Sequence, residues 1–251
     1  MRVLIGNTGL IGQTLLDNMS FTHQFNSSNI DKLKTYKLDG AELYLACLPA
    51  TKWKVNQDVL KDFENLSYII SQLKSFRYSK IVLFSSIDVY SGSALGSNED
   101  HTPVMSRLNY GANRLIFEHL VSELKAVVLQ IFRLPALFGP RIKKNIIFDL
   151  LNDNNVEAIN SESIYQWYNL KDLNTDILTE RTGIMNLFTE PIRTKDILQL
   201  FNVTASNGSA GVAYDFTTKY SYSGYTKSAK TILNDIEEFI DEYRNKPSSV
   251  S

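Results

Sequence analysis

The sequence is short of several things, and each shortage narrows what it can be. Cys47 is the only cysteine, so an intrachain disulfide is excluded and a reducing, cytoplasmic setting is expected. The three histidines, His23, His101 and His119, lie scattered without metal-ligand spacing, and no metal is expected. Lys and Arg number 26 against 27 Asp and Glu, and a net charge of −1 leaves no basic footprint for nucleic acid. No apolar run approaches the ~20 residues of a membrane span, so no membrane partner is expected. At the N-terminus one arginine precedes a few apolar residues before Gly6 breaks the run, which argues against a signal peptide. There is no internal repeat, and low complexity is confined to the Ser-rich stretch Pro247–Ser251. What is present, 251 residues of which 43% are hydrophobic and 21% charged, suits one large globular domain or a domain with a small lobe.

The first stretch organises the rest. Val3, Leu4 and Ile5 read as a buried parallel strand. Gly6, Gly9 and Gly12 follow, and a helix opens with Leu10, Ile11, Leu15 and Leu16 as its apolar positions. A strand, a glycine turn and a helix are what a phosphate-cradling loop needs. Gly6 permits the turn, Gly9 lets a pyrophosphate approach the backbone, and Gly12 lets helix and strand pack closely. Thr8, Leu10 and Ile11 would offer backbone N–H groups there. The spacing is Gly-x-x-Gly-x-x-Gly, unlike the Gly-x-Gly-x-x-Gly of most dinucleotide dehydrogenases.

Phe21–Phe25 alternates as a second strand and ends at Asn26-Ser27-Ser28-Asn29, where a dinucleotide's adenosine ribose would lie. With neither an acid nor a base in that turn, NAD and NADP both stay open. Leu43–Cys47 is a third strand, stopped by Pro49, and the small residues Ala46 and Ala50 would let a cofactor pass. Cys47 reads as a buried small hydrophobe. From Asn56 to Phe76 the pattern is helical, with Val59, Leu60, Phe63, Leu66, Ile69, Ile70 and Leu73 on one face. Lys80–Phe84 is a fourth strand. This β-α-β-α-β alternation predicts a doubly wound parallel sheet. Strand four runs into Ser85-Ser86-Ile87-Asp88-Val89-Tyr90, and a polar loop from Ser93 to Arg107 follows. Asn109 to Leu124 is a helix with Leu115, Ile116, Leu120, Val121 and Leu124 inward; Tyr110 and Arg114, four apart, share one of its faces. Ala126–Phe132 is a fifth strand, leading to Arg133-Leu-Pro-Ala-Leu-Phe-Gly-Pro140.

Beyond it, Lys143–Leu151 reads as a helix, Val156–Ile159 and Ile164–Tyr168 as strands, and Leu170–Glu180 as a helix. Gly183–Phe188 reads as a sixth major strand, Thr194–Phe201 as a helix capped by Thr194, and Lys227–Tyr243 as a final amphipathic helix. Arg141, Lys143 and Lys144 form a basic cluster at the start of the Lys143–Leu151 helix. Trp167 and Tyr168 could stack on a base or sugar.

Taken in order, these motifs resemble the extended short-chain dehydrogenase/reductases, the NAD-dependent epimerase/dehydratase family. Gly6-x-x-Gly9-x-x-Gly12 is similar to its cofactor loop, and Phe84-Ser-Ser-Ile-Asp-Val-Tyr90 to the strand carrying its catalytic Ser or Thr. Tyr110-x-x-x-Arg114 stands where the family has Tyr-x-x-x-Lys. Arg133 to Pro140 resembles the strand and loop that roof the nicotinamide, with Pro135 at the cofactor. Asn65 stands where the family often has a structural Asn, and Gln166 to Asp172 resembles the lead-in to its second lobe.

The resemblance implies a Rossmann-like α/β fold with a dinucleotide-binding domain over 1–140 and a smaller α/β substrate lobe over 141–251. It implies redox or epimerase chemistry at a hydroxyl or keto carbon, with a nucleotide sugar as the small-molecule substrate; a homodimer is left open. Tyr110 would be the acid or base, Ser86 would hydrogen-bond the same oxygen, and Arg114 would hold the nicotinamide ribose and keep Tyr110 acidic. Ser86, Asp88, Lys144, Asn145 and Trp167 would meet the substrate. Two residues depart from the pattern. Ala136 stands where epimerases often carry a substrate-binding Asn, and Arg114 replaces the lysine, keeping the charge but unable to serve a lysine-type proton relay. Ile87-Asp88 after Ser86 is not the Asp-Glu pair of dehydratases, which disfavours dehydration. A dinucleotide-bound sensor or scaffold that has lost turnover is the competing reading.

Overall fold

The computed structural model describes residues 1–105, 107–204 and 211–245. The Ser-rich stretch Pro247–Ser251 lies outside the described residues. The chain forms two compact units, Met1–Leu134 with Leu173–Asn186, and Pro135–Asp172 with Leu187–Ser251. The first unit therefore ends at Leu134, ahead of the sequence-based division at 140/141, and takes back one later segment.

In the first unit β1 (Arg2–Ile5), β2 (His23–Phe25), β3 (Glu42–Leu45), β4 (Arg77–Ser86), β5 (Lys125–Leu134) and β9 (Gly183–Asn186) make one parallel six-stranded sheet, ordered β2-β1-β3-β4-β5-β9. The order reverses at β1, which has β2 on one side and β3 on the other. In open α/β sheets the crevice at the carboxyl ends of the strands beside such a reversal is where ligands bind. Helices α1 (Leu10–Leu16), α2 (Lys52–Gln57), α3 (Val59–Leu73) and α4 (Tyr110–Ser122) belong to this unit. Val3, Leu43, Leu66, Ile81, Leu83 and Phe117 are fully buried members of its core. Burying each such side chain contributes about 1.5–3 kcal/mol, which holds the sheet under its helices.

In the second unit β6 (Ala136–Phe138) pairs parallel with β8 (Trp167–Asn169), and β7 (Ile164–Tyr165) antiparallel with β10 (Ile192–Arg193). Gln166 separates β7 from β8 and is buried. Its side chain donates to the carbonyls of Thr189 and Phe216 (2.6 and 2.8 Å) and accepts from Phe216 N. Helices α5 (Ile146–Leu151), α7 (Thr194–Leu200) and α8 (Ala229–Arg244) complete it; α6 (Leu173–Asp176) falls in the first unit. Phe239 of α8 packs on Phe138 at 6.0 Å, and Lys227 bridges Asp172 and Asp235 (2.7 and 2.9 Å).

Several expectations need correcting. The helix over Asn56–Phe76 is two helices, because Asp58 leaves helical conformation and caps α3 by accepting from Lys61 N at 3.0 Å. Leu60 and Phe63 are exposed, and the buried stripe of α3 runs through Asp62, Leu66 and Leu73. In α4, Leu115, Ile116 and Leu120 are only half-buried, while Asn113, Arg114 and Glu118 are buried. Val156–Ala158 is a 3-10 turn entered through Asn155 in left-handed conformation, so no strand forms. The Leu170–Glu180 helix shrinks to a 3-10 turn and α6. Helix α5 starts at Ile146, capped by Asn145, and Arg141, Lys143 and Lys144 precede it. Thr194 is the first residue of α7, its hydroxyl donating to Ser163 O at 2.9 Å. Among the described residues no helix is long and apolar enough to cross a membrane.

A Cβ on Gly12 would overlap the Gly6 carbonyl oxygen, whereas one on Gly9 meets nothing nearer than Gly6 O at 3.4 Å. Gly12→Ala should therefore cost about 1–3 kcal/mol in urea unfolding, as overpacking does. Gly9→Ala should cost clearly less; equal losses would contradict the packing described for this loop.

Candidate active site

The glycine loop sits on the end of β3 with backbone against backbone. Gly6 takes a φ of +96°, and a Cβ there would overlap the Ala46 carbonyl. Gln13 donates to Asn7 O at 2.6 Å and Thr14 to Leu10 O at 3.0 Å, which fixes the turn to α1. Gly9 is the N-cap of α1 and supplies no side-chain cap to its first turn. Leu10, Ile11 and Gly12 form that first turn, and Thr8 is exposed beside it. At the end of β2, Asn26 donates to Asn7 Oδ1 at 3.2 Å and accepts from the amide and hydroxyl of Ser28 at 2.9 and 2.6 Å. Ser27 is exposed. Asn26 thereby joins the turn after β2 to the glycine loop with no formal charge.

Ser86 ends β4 and caps the 3-10 turn Ile87–Tyr90, its Oγ accepting from Asp88 N at 3.1 Å. The start of α4 rests on this turn: a Cβ on Gly111 would overlap the Asp88 carbonyl. Asn109 caps α4 by accepting from Ala112 N at 2.9 Å, and Asn56 Oδ1 accepts from Tyr110 N at 2.8 Å. Tyr110 is thus held at a helix start beside Ser86. It is buried, and burial is the largest influence on its phenol, pushing its pKa above the usual tyrosine value. Arg114 and Ser86 favour the phenolate, and Asp88 opposes it. Arg114 thus pulls in the expected direction, and burial sets the net shift upward.

Arg114 lies with its guanidinium carbon 4.4 Å from the centre of the Tyr110 ring, as their four-residue spacing implied. Its side chain is fully buried. Nη2 donates to both carboxylate oxygens of Asp62 (3.1 and 3.0 Å) and, at 3.4 Å, to Pro49 O. Asn113 also donates to Asp62, at 2.8 Å. Nε and Nη1 of Arg114 are buried and find no acceptor among the described residues. An unmet buried donor costs about 1–3 kcal/mol, so these two nitrogens are where an added acceptor would stabilise the site most.

Behind the site, Glu118 accepts from Arg133 (Nε 3.0 Å, Nη2 2.6 Å) and from Ser85 Oγ at 2.5 Å. Arg133 also donates to Tyr90 Oη at 2.7 Å. This buried network locks β4, α4 and β5 together. Burial raises the Cys47 thiol to about 12, which leaves it no nucleophile.

The structure thus brings together Ser86, Asp88, Tyr110 and Arg114, and links them to the loop through the segment holding Ala46 and Pro49. Pro135, Lys144, Asn145 and Trp167 belong to the other unit. There Lys144 is exposed. Asn145 adopts a φ of +116°, caps α5 and donates to Leu137 O at 2.7 Å. Trp167 is 1% exposed, part of that unit's core, and offers no face for stacking. Asn65 is exposed, and it is Asn56 that reaches Tyr110. Sequence reasoning missed Asp62, Asn56, Asn113 and Lys52. A signal for Asp62 existed: Val59, Asp62, Leu66, Ile69 and Leu73 follow a three-four spacing, so a carboxylate occupies a core position.

No protein-family model and no curated protein matches the chain. Solved structures do. The chain superposes on UDP-glucuronic acid 4-epimerase of Bacillus cereus, in complex with NAD, with a TM-score of 0.74 at 14% identity, covering 97% of this chain and 99% of that one. An NAD-dependent NDP-hexosamine 5,6-dehydratase of tunicamycin biosynthesis gives 0.74 at 14%, covering 98% and 99%. UDP-glucose 4-epimerase of Thermus thermophilus, in complex with NAD, gives 0.68 at 15%, covering 98% and 100%. At such identities the likeness is one of fold: the Rossmann-like fold with a second α/β lobe that the sequence predicted.

Removing the Asp62 carboxylate would strand a buried guanidinium. Asp62→Ala should destabilise the protein by about 3–5 kcal/mol in urea unfolding at pH 7. Asp58→Ala, which removes only an exposed cap, should cost about 1 kcal/mol. A loss for Asp62→Ala no greater than for Asp58→Ala would contradict a load on the buried pair.

Proposed function

We propose that the protein is a nicotinamide-dinucleotide-dependent oxidoreductase or epimerase of the extended short-chain dehydrogenase/reductase type, acting on a hydroxyl or keto carbon of a nucleotide sugar. The observation that carries this reading is Tyr110 and Ser86 together at the carboxyl end of β4, beside an Arg114 with two buried, unmatched donors. Several of the fold neighbours are complexes of NAD with UDP, UDP-glucose, UDP-glucuronic acid or its 4-deoxy-4-fluoro derivative.

The residues present fit a dinucleotide. Gly9 brings the backbone of the α1 start to the surface of the loop without a side chain, where a pyrophosphate could approach it, and Arg114 Nε and Nη1 can donate to ribose hydroxyls. Asn26 and Ser27 at the ribose turn carry no charge that selects between NAD and NADP. The bound dinucleotide would supply the hydride donor or acceptor. Tyr110 as the neutral phenol gives its proton to a carbonyl oxygen, and in the reverse direction its phenolate takes one from a hydroxyl. Ser86 Oγ donates to the same oxygen as charge develops on it. Arg114 stays a cation throughout and orients.

One observation favours the competing reading of a sensor without turnover: Arg114 is committed to Asp62 and cannot relay a proton as a lysine would. Two variants separate the readings. Gly9→Val should abolish binding of NADH and NADPH, followed by nicotinamide fluorescence, with stability retained. With a panel of UDP- and dTDP-sugars, followed by nicotinamide absorbance, Tyr110→Phe should lower kcat by about a hundredfold or more with dinucleotide affinity nearly unchanged. Parental binding by Gly9→Val would refute the cofactor site, and parental turnover by Tyr110→Phe would refute the mechanism. Tight binding with no turnover on any sugar would favour the sensor.

A further inference from the structure

Arg114 cannot release a proton, and its Nη2 is committed to Asp62. Tyr110 is 7% exposed, so once its proton has gone to a substrate oxygen it needs a route to water other than Arg114. The first unit holds one. Ser86 stands beside the Tyr110 phenol, close enough for its hydroxyl to favour the phenolate. Ser86 Oγ lies 3.4 Å from Asp88 Oδ2 and accepts from Asp88 N at 3.1 Å. Asp88 Oδ1 takes the Lys52 ammonium at 2.5 Å. The Lys52 side chain, on α2, is 47% exposed, against 12% for Asp88. The chain of groups therefore starts at a buried phenol and ends at an exposed, exchangeable ammonium.

We propose that Ser86, Asp88 and Lys52 form a proton relay that connects Tyr110 to solvent, taking over the duty that arginine at position 114 cannot perform. In the reloading direction Lys52 passes a proton to the Asp88 carboxylate and regains one from water. The Asp88 carboxyl turns and gives its proton to Ser86 Oγ, as the Ser86 proton moves to the Tyr110 oxygen. One proton leaves water, one arrives on Tyr110, and Ser86, Asp88 and Lys52 end as they began. The reverse sequence drains a proton from Tyr110. Among the described residues, the charged groups on this route are Lys52 on α2 and Asp88 on the turn after β4, with Arg114 of α4, paired with Asp62 of α3, bordering Tyr110. Of these, only Lys52 is both a proton donor and largely open to water. The part this relay plays in turnover rests on the function proposed above; the exchange it predicts does not.

The test is proton exchange at the Tyr110 hydroxyl in the ligand-free protein. With tyrosine labelled at Cζ with carbon-13, in equal light and heavy water, a slowly exchanging hydroxyl gives two lines and a fast one gives a single averaged line. Tyr110→Phe identifies the signal among the 13 tyrosines. The parent should show one averaged line. Lys52→Met and Asp88→Asn should each slow the exchange by about tenfold or more, as loss of a positioned proton carrier does, and broaden or split the line. Lys54→Met, on the same helix but outside the route, should behave as the parent. Should Lys52→Met fail to fold, Asp88→Asn carries the same reading with its hydrogen-bonding shape kept. A parent already split, exchange as fast in Lys52→Met and Asp88→Asn as in the parent, or equal slowing in Lys54→Met would overturn the relay. No dinucleotide or sugar is needed, so the relay can fail while the function stands, and the reverse.

Discussion

A charge taken out of water must be met by an opposite charge, and the buried pair of Asp62 with Arg114 is where this protein meets that demand. The consequences spread outward from it. Asp62 comes from α3 and Arg114 from α4, so the pair fixes the two helices against each other. Asn113 adds a second donor from α4 to the same carboxylate, which leaves that carboxylate nowhere else to go. With the guanidinium pinned, its central carbon lies over the Tyr110 ring, and Tyr110 in turn is held beside Ser86. A lysine at 114, with a flexible stem and a compact head, would not set this geometry in the same way.

The same arrangement divides two duties between different groups. Arg114 supplies a permanent cation and oriented donors. It does not supply a mobile proton, and burial of the phenol outweighs its pull on the Tyr110 pKa. Proton traffic falls to the more open side of the site, where Asp88 and Lys52 stand. Close backbone contact then joins the chemistry to the loop: Gly6 lies against Ala46, and Gly111 against Asp88, each at a separation that excludes a Cβ.

Much of this was legible in the sequence because strong local rules agreed with the fold. The apolar runs of β1, β4 and β5, the glycine loop before α1, and the Tyr110–Arg114 spacing were each readable from period and residue type. What was not readable depended on partners distant in the chain. Asp62 interrupts an apolar stripe, yet only the position of Arg114, on another helix, explains why a carboxylate can sit there. The break at Asp58 was hidden by a continuous apolar period. In the second unit the elements are short, and their shapes follow tertiary hydrogen bonds such as those of Gln166, so the expected strand at Val156–Ile159 and the helix from Leu170 did not form. Trp167 looked like a stacking surface because composition cannot tell an aromatic in a core from one at a site.

The most direct test is whether the two unmatched donors of Arg114 are in fact the ribose grip. Nitrogen-15 spectra of the guanidinium, assigned with Arg114→Met, can be followed while NADH is added to saturation. The expected result is a shift of the Arg114 Nε–H signal and slower exchange of its proton with water, since a buried donor gains an acceptor. A signal that stays unchanged while NADH saturates the protein would contradict it, and would leave Arg114 as a structural cation with no hold on the cofactor.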